Sequence, residues 1–67
     1  MTPARKRAAQ FILREALALG IRVGTDGTEV VMRAPLKIPI ATERMFERAI
    51  IEHQQEIIAV IVEEKAK

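Results

Sequence analysis

His53 is the only histidine in the sequence, and histidine is the side chain best suited to acid–base catalysis near neutral pH. Catalysis would also require a nucleophile or a carboxylate partner, and the sequence contains neither cysteine nor serine. Glu52 and Glu56 are simply the neighbours of His53 on a predicted helix. A structural role for His53 at a helix bend is therefore favoured, and we expect no catalytic residue and no enzymatic activity.

Metal and phosphate chemistry are equally unsupported by the residue types. Without cysteine, disulfides and thiolate zinc sites are excluded, and one histidine cannot form a histidine-rich metal site. The three glycines, Gly20, Gly24 and Gly27, fall at a predicted helix cap, strand and turn, so they do not form a phosphate-binding loop. We expect no cofactor and no metal.

Arg5, Lys6 and Arg7 form the one basic cluster of the chain. Three such charges could contact nucleic-acid phosphates. No aromatic side chain for base stacking lies beside them, however, and no recognition-helix pattern follows. A solvated helix start is the favoured interpretation, and nucleic-acid binding remains an alternative.

The elements that position these residues belong to a short chain. Sixty-seven residues predict a single small domain, 1–67, whose core is marginal unless helices pack tightly or chains associate. Hydrophobic residues make up 49% but aromatic residues only 3%, so aliphatic side chains must form the core. No apolar run is long enough to span a membrane, and the basic start is not followed by a signal sequence. A cytoplasmic protein is expected.

Charge is distributed unevenly along the chain. Residues 1–22 contain five basic residues and one glutamate, whereas residues 43–67 contain four basic and six acidic residues. The two ends are therefore electrostatically complementary. This complementarity favours their packing against each other, within one chain or between chains.

A helix is predicted over residues 4–19, because strong helix formers dominate and Ile12, Leu13 and Ala16 follow the spacing of a core stripe. Gly20 suits the position after the helix, where a left-handed conformation costs glycine little. The remaining apolar residues make the apolar face too wide for a helix packed on one side. We therefore expect a homodimer interface formed by Phe11, Leu17 and Leu19.

A β-hairpin is predicted next, from alternating strands at residues 21–25 and 28–34 joined by a two-residue turn at Asp26-Gly27. Alternation places Val30, Met32 and Ala34 on one face of the second strand. It places Glu29, Val31 and Arg33 on the other face.

A two-stranded sheet has exposed edges, which proteins either block or use. A partner strand added at the hairpin edge would gain main-chain hydrogen bonds, and Arg22 and Arg33 would select an acidic tail. The predicted partner-binding residues are Arg22, Glu29, Val31, Arg33 and Ala34. From the residues alone, this interpretation and a simple helix-covered sheet are equally supported.

Pro35 and Pro39 exclude a helix interior from the connector at residues 35–41, which we expect to lie extended with Leu36, Ile38 and Ile40 burying one side. A long final helix is then predicted, with Thr42 as its N-cap. The helix is expected to break near His53, where the apolar stripe is interrupted. Its predicted core positions are Phe46, Ala49, Ile50, Ile57, Val60 and Ile61. The predicted fold class is α+β, with the order helix, strand, strand and one or two helices.

Three stretches, ILREALALGIRV, TDGTEVVMRAP and ERAIIEHQQEIIAVI, resemble the N-terminal docking domains of the TubC type. The resemblance covers roughly residues 12–62. Its motifs are Gly20-Ile21-Arg22, Asp26-Gly27, Arg33-Ala34-Pro35, and His53 followed by Glu56-Ile57-Ile58. The connector at 36–40 departs from the family, which has a short glycine-containing loop and a Thr-Pro helix start there.

The resemblance implies an α-β-β-α-α fold that often dimerises. Such domains stand at the start of nonribosomal peptide or polyketide synthase subunits and capture the C-terminal tail of the upstream subunit as an added strand. The expected function is therefore non-catalytic docking of a partner's peptide tail. The alternative is a small nucleic-acid-associated or regulatory protein, such as one carried by a mobile element, that uses the basic N-terminal helix.

Overall fold

Three helices and one hairpin make up the computed structural model, which describes residues 2–66. The elements are helix α1 (Pro3–Ala18), strands β1 (Arg22–Thr25) and β2 (Val30–Arg33), and helices α2 (Ile40–Glu52) and α3 (Gln54–Lys65). The predicted α+β class and the predicted order of elements are confirmed. No helix within residues 2–66 has both the length and the apolar character needed to cross a membrane.

Both ends of α1 are capped by residues that the sequence places there. The Thr2 hydroxyl accepts a hydrogen bond from the Arg5 amide, and Pro3 occupies the first helical position. At the other end, Gly20 has a φ of +81°, and the Ile21 amide donates to the Ala16 carbonyl at 2.8 Å. This is a Schellman ending, in which glycine tolerates the left-handed conformation. It buries Ile21 against the helix that it follows.

The hairpin is confirmed, but its loop is longer than predicted. Thr25 pairs with Val30, so residues 26–29 form a four-residue loop instead of a two-residue turn. Among these four loop residues, only Gly27 has positive φ, at +98°. Asp26 stabilises the longer loop, because its carboxylate accepts hydrogen bonds from the Glu29 and Thr28 amides at 2.9 and 2.8 Å. These two bonds also lower the pKa of Asp26.

The prediction of an extended connector was wrong. The Ile38 amide donates to the Pro35 carbonyl at 3.2 Å, which turns the chain between them. Ile38 alone packs against the core, whereas Leu36 and Ile40 are exposed. The backbone must reverse direction here to bring α2 back against the sheet, and an extended segment could not do so.

The predicted N-cap at Thr42 was also wrong, because α2 begins at Ile40 with Pro39 as its cap residue. Proline's fixed φ is compatible with both an extended residue and a helix start, and Pro39 has φ −58° and ψ 142°. The expected break near His53 is confirmed. His53 has φ −110° and ψ 27°, and it separates α2 from α3.

The core lies where the three helices meet the inner face of the hairpin. Half-buried side chains on that face, including Val23, Val30 and Met32, pack against it. Its buried apolar residues are Ala9, Ile12, Ala16, Ile21, Phe46, Ile50, Ile57 and Val60. The stripes predicted on the first and last helices therefore do form the core.

Opposite charges join the two ends of the chain, as their complementarity predicted. Arg5 of α1 forms an ion pair with Glu56 of α3, and Lys6 pairs with Glu63 at 3.1 Å. Glu56 is itself buried, whereas Lys6 is half-buried and Glu63 is exposed. The Arg5 hydrogen bond holds the pKa of Glu56 below its ordinary value, so this carboxylate is charged at neutral pH.

Candidate functional site

The outer face of the hairpin carries two arginines directly opposite each other. The register pairs Arg22 with Arg33 and Gly24 with Val31. Cross-strand partners share a face, and this face is the one turned away from the core. Arg22, Arg33 and Val31 are all exposed. The structure therefore brings three of the predicted partner-binding residues onto one surface, which we call the arginine face.

No carboxylate balances the arginine face. The two ion pairs found within residues 2–66 both join α1 to α3, and neither Arg22 nor Arg33 takes part in one. Like charges at directly opposite positions of two strands repel each other. An acidic ligand would relieve this repulsion, so the arrangement suits an anionic partner.

The remaining two predicted partner-binding residues lie elsewhere. Glu29 belongs to the loop before β2, where its carbonyl accepts a hydrogen bond from the Thr25 hydroxyl at 2.6 Å. Ala34 follows β2 and packs against the core, on the opposite side from Arg33. Neither residue belongs to the arginine face. Glu29 precedes the paired strand, and Ala34 lies on the side of the chain that packs against the core.

Each strand of the sheet has only one strand neighbour in the described part of the chain. The sheet has the order β1-β2, so β1 and β2 each have an outer edge without a paired strand. Outer edges of this kind offer main-chain donors and acceptors to an added strand. The two edges differ in their helical support, since β1 lies against α1 and α3, and β2 against α2 and α3.

The predicted dimer residues are exposed, but they do not form one continuous face. Phe11 is 61% exposed, Leu17 73% and Leu19 43%. Phe11 and Leu17 are six positions apart, which places them about 120° apart around the helix axis. Leu19 lies just beyond the end of α1. One flat interface would therefore bury Phe11 or Leu17 more readily than both.

An apolar groove that the sequence reasoning missed lies beside β1. It has a volume of about 550 Å³ and is lined by Leu13 and Leu17 of α1, Val23 of β1 and Ile61 of α3. Its rim carries Arg22, Lys65 and Glu64. The spacing of Leu13 and Leu17, one helical turn apart, was a signal for a second apolar stripe. Only the tertiary structure shows that this stripe faces the strand.

The basic cluster of the first helix is largely used within the chain. Arg5 and Lys6 are the two residues paired with the carboxylates of α3, and Arg5 also approaches the Glu52 carbonyl at 3.4 Å. Of the three residues considered for phosphate binding, Arg7 alone has no ion pair within residues 2–66. The structure thus leaves few free charges at this end.

His53 lies at the junction of α2 and α3, where the break in the helix was predicted. Its Nδ1 atom is buried and has no hydrogen-bond partner within residues 2–66. Across the same residues, no group of three histidine, aspartate or glutamate side chains is placed to hold a metal ion.

Comparisons of the chain with protein-family models, with curated proteins and with solved structures found no match. The candidate binding surfaces of the described residues are the arginine face, the two outer strand edges and the apolar groove beside β1.

Proposed function

We propose that this protein is a non-catalytic docking module that captures an acidic peptide tail of a partner protein as an added strand at the edge of its hairpin. The observation that carries the proposal is the pairing of Arg22 with Arg33 on an exposed face, where neither arginine has an ion pair within residues 2–66. A guest strand would gain main-chain hydrogen bonds from the edge and charge recognition from the two guanidinium groups.

The order of elements supports the same proposal. The TubC-type resemblance implies a helix, a hairpin and two helices, and the chain has this order. In that family the hairpin region receives the C-terminal tail of an upstream synthase subunit. We propose by this analogy that the partner's binding segment is a C-terminal tail and that docking takes place in the cytoplasm.

Nucleic-acid binding is less well supported than docking. Two of the three basic residues that would contact phosphates are already paired with α3 carboxylates. Binding to DNA would have to break these pairs or rely on the few charges left free. Affinity for phosphates depends on the number of basic residues available.

Homodimerisation remains a prediction, based on the exposed apolar residues of α1 and on the small core of the chain. Sedimentation equilibrium at micromolar concentration should give about twice the chain mass. A monomer at every accessible concentration would remove the homodimer from the proposal without affecting tail capture.

The docking proposal can be tested with a short synthetic peptide of alternating glutamate and leucine, and with its lysine–leucine counterpart. Adding the acidic peptide to the labelled protein should shift the amide resonances of residues 22–25 and 30–33 first. Arg33→Glu should weaken this binding at least about tenfold, because it replaces a positive charge of the arginine face with a negative charge that repels the peptide. Arg48→Glu, on the exposed surface of α2, is the matched control and should bind normally.

Two results would count against the proposal. Equal binding of the acidic and basic peptides would mean that the arginine face does not select charge. Shifts confined to residues 5–14 on addition of duplex DNA, with affinity falling steeply as salt rises, would instead support the nucleic-acid alternative.

A further inference from the structure

The apolar groove distinguishes the two outer edges of the hairpin. It takes two residues, Arg22 and Val23, from β1 and none from β2. Its lining includes Ile21, which is buried, and Leu13 and Ile61, which are half-buried and pack against the core. Leu17, at 73% exposure, also lines the groove, with most of its side chain in water. The β1 side therefore offers apolar surface next to a free strand edge.

An added strand would fit this geometry. Neighbouring strands lie about 4.8 Å apart, so a strand paired with β1 would lie on the side where α1 approaches the sheet. Its side chains would alternate between the arginine face and the helices. Those directed inward would meet Leu17 and the groove, and those directed outward would lie beside Arg22.

We infer that the partner strand adds to the edge of β1, and that its sequence alternates bulky apolar residues, which fill the groove, with acidic residues, which meet Arg22. This inference rests on the proposed docking function and assigns both its edge and the chemistry of its ligand. Burying Leu17 and the groove supplies the apolar part of the affinity. The arginine face supplies the charge selection.

Charge favours an acidic peptide over a second copy of the chain as the occupant. The groove rim carries Arg22 and Lys65 against one carboxylate, Glu64. Arg33 lies across the sheet from Arg22, which adds to the positive charge of this side. A second copy paired through β1 would bring two more arginines into the same sheet, where like charges repel. An acidic strand would neutralise them.

The test compares two exposed apolar residues of α1 on different sides of the helix. Leu17→Ser removes the side chain beside the groove, and Phe11→Ser removes one about 120° away around the helix. Both residues are exposed, so thermal melting should show that both variants remain folded. Leu17→Ser should weaken binding of the glutamate–leucine peptide about tenfold or more, whereas Phe11→Ser should leave its affinity nearly unchanged.

A peptide of alternating glutamate and serine provides the reciprocal control. It keeps the charge and the main chain but cannot fill the groove, so it should bind about as weakly to the natural protein as the leucine peptide binds to Leu17→Ser. Contacts between isotopically labelled peptide leucines and the methyl groups of Leu17 and Ile61 should be seen directly by nuclear Overhauser effects.

The possible failures separate the inference from the function on which it rests. If Arg33→Glu weakens peptide binding and Leu17→Ser does not, docking stands but the β1 groove is not the site. If neither substitution has an effect, both proposals fail. If Leu17→Ser instead dissociates a homodimer that the peptide cannot displace, the groove belongs to a second copy and the inference is overturned.

Discussion

The arginines of the α1–α3 contact and of the hairpin have different electrostatic surroundings. Arg5 reaches from α1 to α3, where it pairs with the buried carboxylate of Glu56. Arg22 and Arg33 face each other on an exposed sheet surface, without an acidic partner in the described chain. The first arrangement fixes how two helices pack. The second leaves charge unsatisfied, which costs stability but provides a surface for an anionic partner.

Stability and the proposed docking function depend on different parts of the molecule. The α1–α3 contact combines apolar burial with ion pairs and holds the chain ends together. The arginine face contributes little to folding, so substitutions there should alter binding more than stability. Four predictions follow this division, beginning with the change expected to be most damaging.

Truncation of the core beneath the α1–α3 contact should have the largest effect. Ile57 is fully buried, so Ile57→Ala should reduce the free energy of unfolding by about 2–5 kcal/mol. A domain this small can lose its fold from such a change. Val31→Ala, at an exposed position of the arginine face, is the control. If the denaturant midpoint fell equally in both variants, the arginine face would matter as much for stability as the α1–α3 contact.

Removing the buried carboxylate should have an intermediate effect that depends on pH. Arg5 lowers the pKa of Glu56, so its contribution to stability is complete at neutral pH. The contribution is lost as pH falls below the ordinary glutamate pKa, about 4.3, and through the lowered value of the folded state. Glu56→Gln should therefore lower the melting temperature at pH 7. It should also reduce the fall in melting temperature that the natural protein shows as pH decreases.

Glu63→Gln is the matched control for Glu56→Gln, because Glu63 also pairs with a basic residue of α1 but its own side chain is exposed. Exposed ion pairs contribute about 0–1 kcal/mol, so this variant should change the melting temperature little. An acid dependence of Glu56→Gln that matches the natural protein would show that the Arg5 pair does not govern acid stability.

Substitution of the glycine in the hairpin loop should lower the free energy of unfolding by less than the core truncation does. Gly27 has a φ of +98°, so Gly27→Val should cost about 1–3 kcal/mol of folding free energy through backbone strain alone. Apart from the adjacent residues of the chain, no atom lies within 4 Å of the added Cβ, so the Cβ itself makes no close contact with the rest of the fold. Gly24→Val, in a strand and with equally open space around its Cβ, should not destabilise the protein. Equal melting temperatures for the two variants would refute the strain argument.

The smallest effect on stability is expected on the arginine face, and its sign is reversed. Arg33→Glu replaces a like-charge cross-strand pair with an opposite-charge pair, so it should raise the free energy of unfolding by about 0.2–1 kcal/mol. The same substitution should weaken binding of the acidic peptide. The gain in stability should shrink at high salt, and a loss of stability would mean that Arg33 makes a favourable contact in the native chain.

Local pattern was sufficient for much of this fold. The alternation in residues 28–34 predicted correctly that Val30 and Met32 share one face of the strand and that Val31 and Arg33 share the other. The interrupted stripe at His53 predicted the break between α2 and α3. The turn size and the start of α2 were missed. They depend on the backbone hydrogen bonds that the Asp26 carboxylate accepts and on the geometry of Pro39, and neither alters the apolar periodicity.

By itself, the sequence determined the order of the elements, the core stripes and the charge complementarity of the chain ends, since each depends on residues close in the chain or on net charge. Only the tertiary structure decided that Glu56 is the partner of Arg5, fifty-one positions away. It alone placed Leu17, Val23 and Ile61 around one groove. Such contacts depend on how helices and strands pack in three dimensions, which periodicity along the chain does not encode.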